Sequence, residues 1–212
     1  MTQDSVGKNR ILKLNQACAV TLLPAPRPAD SHKGLFGSVG IIGGAAGMVG
    51  AAFLAGTAAL KLGAGRVYLG LISDNAPSMD PEQPELMLRP VHELFKLDHL
   101  SCLVVGPGLG MSVDASFWLA CALESALPIV LDADALNLIA AQPRLAKLLR
   151  ERKAPALLTP HATEAARLLG TDSATIQHDR MPLRQIWQSV STAVSCSKEL
   201  AAFAYCPMAS AI

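Results

Sequence analysis

Charge and aromatic side chains are both scarce in this chain. Asp, Glu, Lys and Arg make up 17% of its 212 residues and Phe, Trp and Tyr only 4%, with a formal net charge of +1 at pH 7. The basic residues are scattered, which argues against a general affinity for nucleic acid or an anionic membrane surface. The five cysteines, Cys18, Cys102, Cys121, Cys196 and Cys206, are odd in number and show no C-x-x-C spacing. That pattern argues against a disulfide framework and leads us to expect free thiols in a reducing cytoplasm. The opening MTQDSVGKNR is too polar for the apolar region of a signal peptide. No apolar run reaches the length of a membrane span; Val49 to Leu62 comes closest, but it is short, broken by glycine and reads as a buried core helix. There is no G-x-S-x-G elbow, no metal-like histidine cluster, no G-x-x-x-x-G-K-[ST] loop and no true G-x-G-x-x-G.

What is present is apolar and glycine-punctuated. Hydrophobic residues make up 51% of the chain, enough for a substantial core in one domain or a large part of one. The organising stretch is Val39 to Ala64, VGIIGGAAGMVGAAFLAGTAALKLGA. Val39 to Ile42 has the character of a buried strand, Gly43, Gly44, Gly47 and Gly50 break it, and Ala51 to Leu62 is rich in helix formers. Strand, glycine loop and helix together point backbone amides and a helix dipole at an anion, although a plain tight turn has the same outline.

Further along, strand-like runs alternate with helical segments. Ile11 to Leu23 reads as a short helix, followed by an extended arm set by Pro24, Pro26 and Pro28. Arg66 to Ile72, Leu100 to Val105, Pro128 to Leu131 and Pro155 to Leu158 read as strands. Asn75 to Pro90, with four prolines, reads as an irregular loop. Asp114 to Ser125 is a helix with Ser112 as its N-cap, Ala135 to Arg152 is helical with a break near Pro143, and another helix starts at Thr163. Such alternation of uniformly apolar strands with helices predicts a parallel sheet buried on both faces, an α/β sandwich with ligands at the carboxyl ends of its strands. Four strands end there in distinctive loops: GGAAGMVG, GPGLG, DAD and TPH.

Each loop carries candidate chemistry beside a plainer reading. Gly106 to Gly110 offers amides suited to a pyrophosphate or ribose, or is a proline-stiffened turn. Asp132 and Asp134 could attract Mg²⁺ or accept sugar hydroxyls, or Asp134 could cap the helix that follows. His161 could hydrogen-bond a ligand or exchange a proton, or be structural; Glu164 suits the dipole at a helix start.

Taken in order, Lys33-Gly-Leu-Phe-Gly, IIGGAAGMVGAAFLA, AALKLGAGRV, Pro84-Glu-Leu-Met, VVGPGLG, IVLDADALNLIA and LLTPHATEAARLLG resemble the ADP/ATP-dependent (S)-NAD(P)H-hydrate dehydratases, of the ribokinase-like superfamily, from about Lys33 to Gly170. The resemblance implies a three-layer α/β sandwich with a mostly parallel sheet. It implies a repair reaction in the cytoplasm: (6S)-NADHX or NADPHX is dehydrated to NADH or NADPH, with ADP or ATP hydrolysed in the presence of Mg²⁺. By position, Gly50, Ala51, Gly106, Gly108, Gly110 and His161 match substrate-contacting residues. Asp132 and Asp134 match an acidic motif near the Mg²⁺–phosphate region or in the framework, and no protein-held metal site is implied. It also implies a functional link to an NAD(P)H-hydrate epimerase, a homo-oligomer, and neither nucleic acid nor membrane as partner. Two other readings stay open: a ribokinase-like small-molecule kinase of the thiazole or hydroxymethylpyrimidine type, and a non-catalytic nucleotide-binding remnant.

The family pattern continues to a V-x-K-G-A-G nucleotide loop and a G-T-G-D segment whose aspartate is the expected catalytic base; neither occurs in these 212 residues, so activity is expected to be impaired. The chain therefore divides into an N-terminal helix and arm (1–32), a dehydratase region (33–180) and a tail unlike the family (181–212), expected to be a truncated or frameshifted copy of the C-terminal part. Reading Ser195 to Phe203 from the third base of each codon permits Val-Leu-Lys-Gly-Ala-Gly-Ser-Val, the nucleotide loop. An independent read of the gene over codons 178 to 212 is expected to show family residues in that shifted frame; a clean single frame without them refutes it.

Overall fold

The computed structural model describes Pro28–His178 and Val194–Cys196. The helix expected over Ile11 to Leu23, most of the arm, and most of the tail lie outside the described residues. The chain divides into two compact units, Met1–Ser31 and His32–Ile212, and the fold below belongs to the second.

After a single 3-10 turn at Lys33–Phe36, strands alternate with helices: β1 (Ser38–Gly43), α1 (Val49–Lys61), β2 (Arg66–Leu71), β3 (Met87–Arg89), α2 (Val91–Leu94), β4 (Cys102–Val105) and α3 (Val113–Glu124). Then come β5 (Ile129–Leu131), α4 (Asp134–Ala141), α5 (Pro143–Glu151), β6 (Ala156–Leu158), α6 (Ala162–Leu169), α7 (Ser173–His178) and β7 (Val194–Cys196). All neighbouring strands pair in parallel, in the order β3-β2-β1-β4-β5-β6-β7. The expected α/β sandwich is thus what forms.

Strand periodicity sorts the side chains into two cores. Ile41, Val67 and Leu69, with Val39, Leu71, Leu88 and Val104 beside them, pack against Phe53, Ala59 and Leu60 of α1. Their chain neighbours Ile42, Tyr68, Leu103 and Val105 enter a larger cluster with Val91 and Leu94 of α2, Leu119 and Leu123 of α3, and Leu136 and Ile139 of α4. Both faces of the sheet are therefore buried, which is why its strands read as continuous apolar runs. On α1, Gly56 lies where a Cβ would come within 2.9 Å of Leu86 and 3.1 Å of Leu69, so its missing side chain sets how closely the helix approaches the sheet.

Four elements differ from the sequence expectation, one of them α7 at Ser173–His178, which the sequence reading did not contain. Met87–Arg89, inside the stretch read as a loop, pairs with Tyr68–Gly70 as β3, and Val91–Leu94 adds a single helical turn. Three residues between Pro84 and Pro90 are too few to show a period. Val194–Cys196, in the tail where alternation seemed lost, pairs with Ala156–Leu158 as a seventh strand. The other boundaries agree to within about two residues: Ser112 caps α3 by accepting the Ala115 amide at 3.0 Å, and Pro143 separates α4 from α5.

The carboxyl end of α3 is closed by a charge that the sequence does not advertise. Arg152, 8% exposed, sends Nη1 to the carbonyls of Ala122 (3.1 Å), Leu123 and Ser125 (2.7 Å), and Nη2 to that of Leu127. These carbonyls belong to the last turn and the following loop, Ala122 O also accepting from Ser125, and a cation there meets the negative end of the dipole. Burial draws the guanidinium below its usual basicity. Arg152→Met is expected to cost about 2–3 kcal/mol, because several buried carbonyls lose a charged donor together. Denaturant unfolding measures it, and Arg152→Lys, with no planar fork, should recover only part.

Candidate functional site

The loops after β1, β4, β5 and β6 lie side by side because their strands do, a span of roughly 15 Å at about 4.8 Å per strand. The hydrogen-bond ladder continues past the strand ends and ties the loops together. Gly44 donates to Pro107 O (3.1 Å), Ala45 to Gly108 O (2.6 Å), Gly106 to Ile42 O (3.1 Å), Asp132 to Val105 O (3.1 Å) and Thr159 to Leu131 O (3.0 Å). This close approach requires glycine. A Cβ on Gly106, at φ +130°, would fall 1.7 Å from the Asp132 carbonyl oxygen, and one on Gly108, at φ +59°, 2.4 Å from that of Met48. On Gly43 it would fall 2.1 Å from that of Pro107. The result is a slab of interlocked backbone.

The slab uses up much of the hydrogen-bonding capacity that the glycines seemed to offer a ligand. Leu109 donates to Gly106 O (3.0 Å) and Gly110 to the carboxylate Oδ2 of Asp134 (2.9 Å). In the GPGLG loop, Gly106, Leu109 and Gly110 therefore face inward as donors. Among the described residues, the amides of Gly47, Val49 and Gly50, at the start of α1, donate to no protein acceptor. Gly47 and Gly50 are exposed, and a Cβ on either would meet nothing within 4 Å. The anion-binding potential of the opening motif thus survives at the first turn of α1, where the dipole adds to it.

The remaining candidates have specific tasks. Asp134 does not cap the helix expected at Ala135: α4 begins at Asp134 itself, its N-cap is Ala133 without a side-chain bond, and the carboxylate instead fastens the GPGLG loop. Ala133 carries φ +46°, a left-handed value rare for a residue with a side chain, and the turn closes with Ala135 donating to Asp132 O (3.1 Å). Strain of this kind, worth about 1–3 kcal/mol, persists only where packing over-determines the backbone. Asp132 is half-buried beside it. His161 is the N-cap of α6. Its Nδ1 accepts from the amides of Thr163 (3.2 Å) and Glu164 (3.4 Å), while its own amide donates to Glu164 Oε2 (2.9 Å). Nε2 lies 3.2 Å from Glu164 Oε1, so both ring nitrogens are engaged within one turn. This is a capping box with histidine in the usual serine position, a role the sequence did not disclose.

Structure therefore brings Gly106, Gly108, Gly110, Asp132 and Asp134 into one packed block. Gly50 and Ala51 lie on α1, packed against that block through Met48, and His161 on the loop beyond β6. Two polar residues near the block escaped sequence reading: Asn137 and Arg167 are joined across α4 and α6 by Nη1 donating to Oδ1 at 2.7 Å. No signal in the sequence pairs positions thirty residues apart. Among the described residues no group of three or more His, Cys, Asp or Glu is placed to hold a metal ion, and no helix is long and apolar enough to cross a membrane.

Against known proteins, the sequence pattern of the NAD(P)H-hydrate dehydratase family matches residues 39–203. An ADP-dependent (S)-NAD(P)H-hydrate dehydratase from Neisseria meningitidis is 42% identical over 177 residues, covering 82% of this chain and 60% of that protein. The chain thus spans about 60% of that relative's length. The crystal structure of an ADP/ATP-dependent NAD(P)H-hydrate dehydratase from Bacillus subtilis, co-crystallised with ATP and Mg²⁺, superposes with a TM-score of 0.71 at 27% identity, over 87% of this chain and 65% of that one. A ribokinase-like superfamily protein from Enterococcus faecalis shares the fold, with a TM-score of 0.68 at 23% identity over 82% of this chain and 61% of its own.

The packing predicts opposite outcomes for two glycines. Gly108→Ala is expected to lose more than about 2 kcal/mol, from the left-handed φ and the Met48 carbonyl together. Gly50→Ala, exposed in the first turn of α1, should leave stability unchanged or raise it by about 0.5 kcal/mol. Thermal unfolding of both variants decides.

Proposed function

We propose a reaction on one premise: the chain belongs to the NAD(P)H-hydrate dehydratase family. Its slab is the substrate half of a site that restores hydrated nicotinamide dinucleotide, (6S)-NADHX or NADPHX, to NADH or NADPH. Hydroxide is a poor leaving group, so the C6 hydroxyl is first phosphorylated. ADP as co-substrate then leaves as AMP, and ATP as ADP. Loss of a proton from C5 and cleavage of the C6–O bond re-form the ring double bond and release phosphate. The observation that carries this reading is the interlocked glycine slab. Its shape is set by backbone, it lies at the carboxyl ends of parallel strands, and it is flanked by the free amides of Gly47, Val49 and Gly50.

In this reading Gly50 and Ala51 border the ligand from α1, while Gly106, Gly108 and Gly110 form the floor. His161 borders it from β6. With its ring nitrogens held by the first turn of α6, His161 meets the substrate as a fixed edge and not as the proton-transfer group. Asp134 acts by holding Gly110 in place. The described residues do not by themselves form a magnesium cage. Mg²⁺ usually arrives with nucleotide phosphates and few protein ligands. The functional link to an NAD(P)H-hydrate epimerase belongs to the same proposal, since interconverting the two C6 epimers would feed this reaction.

Because these 212 residues contain no G-T-G-D segment, the polypeptide should bind the reduced dinucleotide product while turning over little substrate. The test pairs NADPH binding with release of phosphate from NADHX and ADP. Binding without turnover supports the proposal; turnover comparable to a full-length relative refutes the impairment, and absence of any NADPH binding refutes the substrate reading. His161→Asn should keep the cap and stability, His161→Ala should cost about 1 kcal/mol, and both should weaken NADPH binding.

A further inference from the structure

Met48, Met79, Met87 and Met111 are the methionines of the described residues, and Met48 alone directly precedes a helix. It is 41% exposed, and its side chain makes no hydrogen bond to the first turn of α1. That side chain runs along the GPGLG loop: a Cβ on Gly108 would come within 2.9 Å of Met48 Cβ, and one on Gly110 within 3.7 Å of Met48 Cε. Around it the amides of Gly47, Val49 and Gly50 donate to no protein acceptor, whereas Ala51 donates to the Met48 carbonyl at 3.1 Å. A side-chain acceptor on the residue before a helix satisfies the second or third amide of that helix. Here the third is Ala51, already paired, and the second is Gly50, with no atom within 4 Å of where its Cβ would stand. A thioether is a weak acceptor and leaves that amide open.

Oxidation supplies the missing acceptor. Hydrogen peroxide transfers one oxygen atom to the Met48 sulfur: an S–O bond forms, the peroxide O–O bond breaks, the thioether gives up two electrons, and water leaves. The new oxygen is polar, partly negative and carried on a long, flexible side chain. We infer that Met48 is an oxidisable switch beside the slab: its sulfoxide accepts from the Gly50 amide, caps α1 and takes the place of a bound anion. The helix dipole that favours an anion at this point favours the sulfoxide oxygen in the same way. A thiol-dependent sulfoxide reductase returns the thioether, so the closure is reversible. Oxidation and capping do not depend on what the slab binds; only the accompanying loss of ligand rests on the dinucleotide site proposed above.

The experiment exposes the 212-residue chain to limiting hydrogen peroxide, with Met79→Leu and Met111→Leu in every sample because those sulfurs are exposed as well. In this background the native Met48 is compared with Met48→Leu and Met48→Gln. Peptide mass mapping should find one added oxygen on Met48 well before the half-buried Met87 reacts. Exchange of the Gly50 amide with water, followed by NMR, should slow about fivefold after oxidation, and calorimetry should show NADPH binding weakened by a similar factor, the effect of one helix cap. Met48→Leu should show neither change on treatment. Met48→Gln, whose side-chain oxygen stands as many bonds from the backbone as the sulfoxide oxygen, should show both without peroxide. A Met48 no more reactive than Met87 overturns the switch. So does an oxidised Met48 that leaves either Gly50 exchange or NADPH binding unaltered. A chain that binds no NADPH before treatment overturns the proposed substrate, and Gly50 exchange then decides the switch by itself.

Discussion

Everything at the carboxyl edge of the sheet depends on backbone meeting backbone without side chains between. Gly43, Gly106 and Gly108 each lie where a Cβ would fall within 2.4 Å of a neighbouring carbonyl oxygen. Removing those three side chains lets the loops after β1, β4 and β5 exchange hydrogen bonds as if the sheet continued for another residue or two. Loops tied in this way have little entropy left to lose when a ligand arrives, which is the main benefit of a preorganised site. The surface they present is made of peptide groups, so its shape changes little with pH.

The same interlock explains the two unusual features near it. Ala133 is held at φ +46° because the Asp132 carbonyl is wedged against Gly106, and relaxing the turn would pull that contact apart. Asp134 is turned back onto the Gly110 amide, so a carboxylate that could have served a ligand directly is spent on holding a loop. The price appears in the amides: the GPGLG loop retains few free donors, and the capacity for an anion moves to the start of α1.

Much of the fold was legible because parallel strands buried on both faces are continuous apolar runs, and because Ser112 and Pro143 punctuate helices by local rules. The site was legible as a set of loops, since glycine and aspartate at strand ends are unusual enough to draw attention. What each residue does was not. Alanine at position 133 carries no mark of a left-handed backbone. The reach of Asp134 to Gly110 spans 24 residues, and that of Arg152 to the end of α3 about as many. Local pattern cannot see such pairs; only the packed chain joins them. β3 and α2 were missed for the opposite reason, being too short for any period to register.

The scarcity of charge now has a structural meaning. A site assembled from amides, helix starts and carbonyl-to-glycine contacts needs few ionised side chains, and the block around Gly106 uses its aspartate internally. Helix α6 carries the complementary arrangement: His161 and Glu164 close its first turn on themselves, leaving Arg167, further along the same helix and tied to α4 through Asn137, as a cation directed outward.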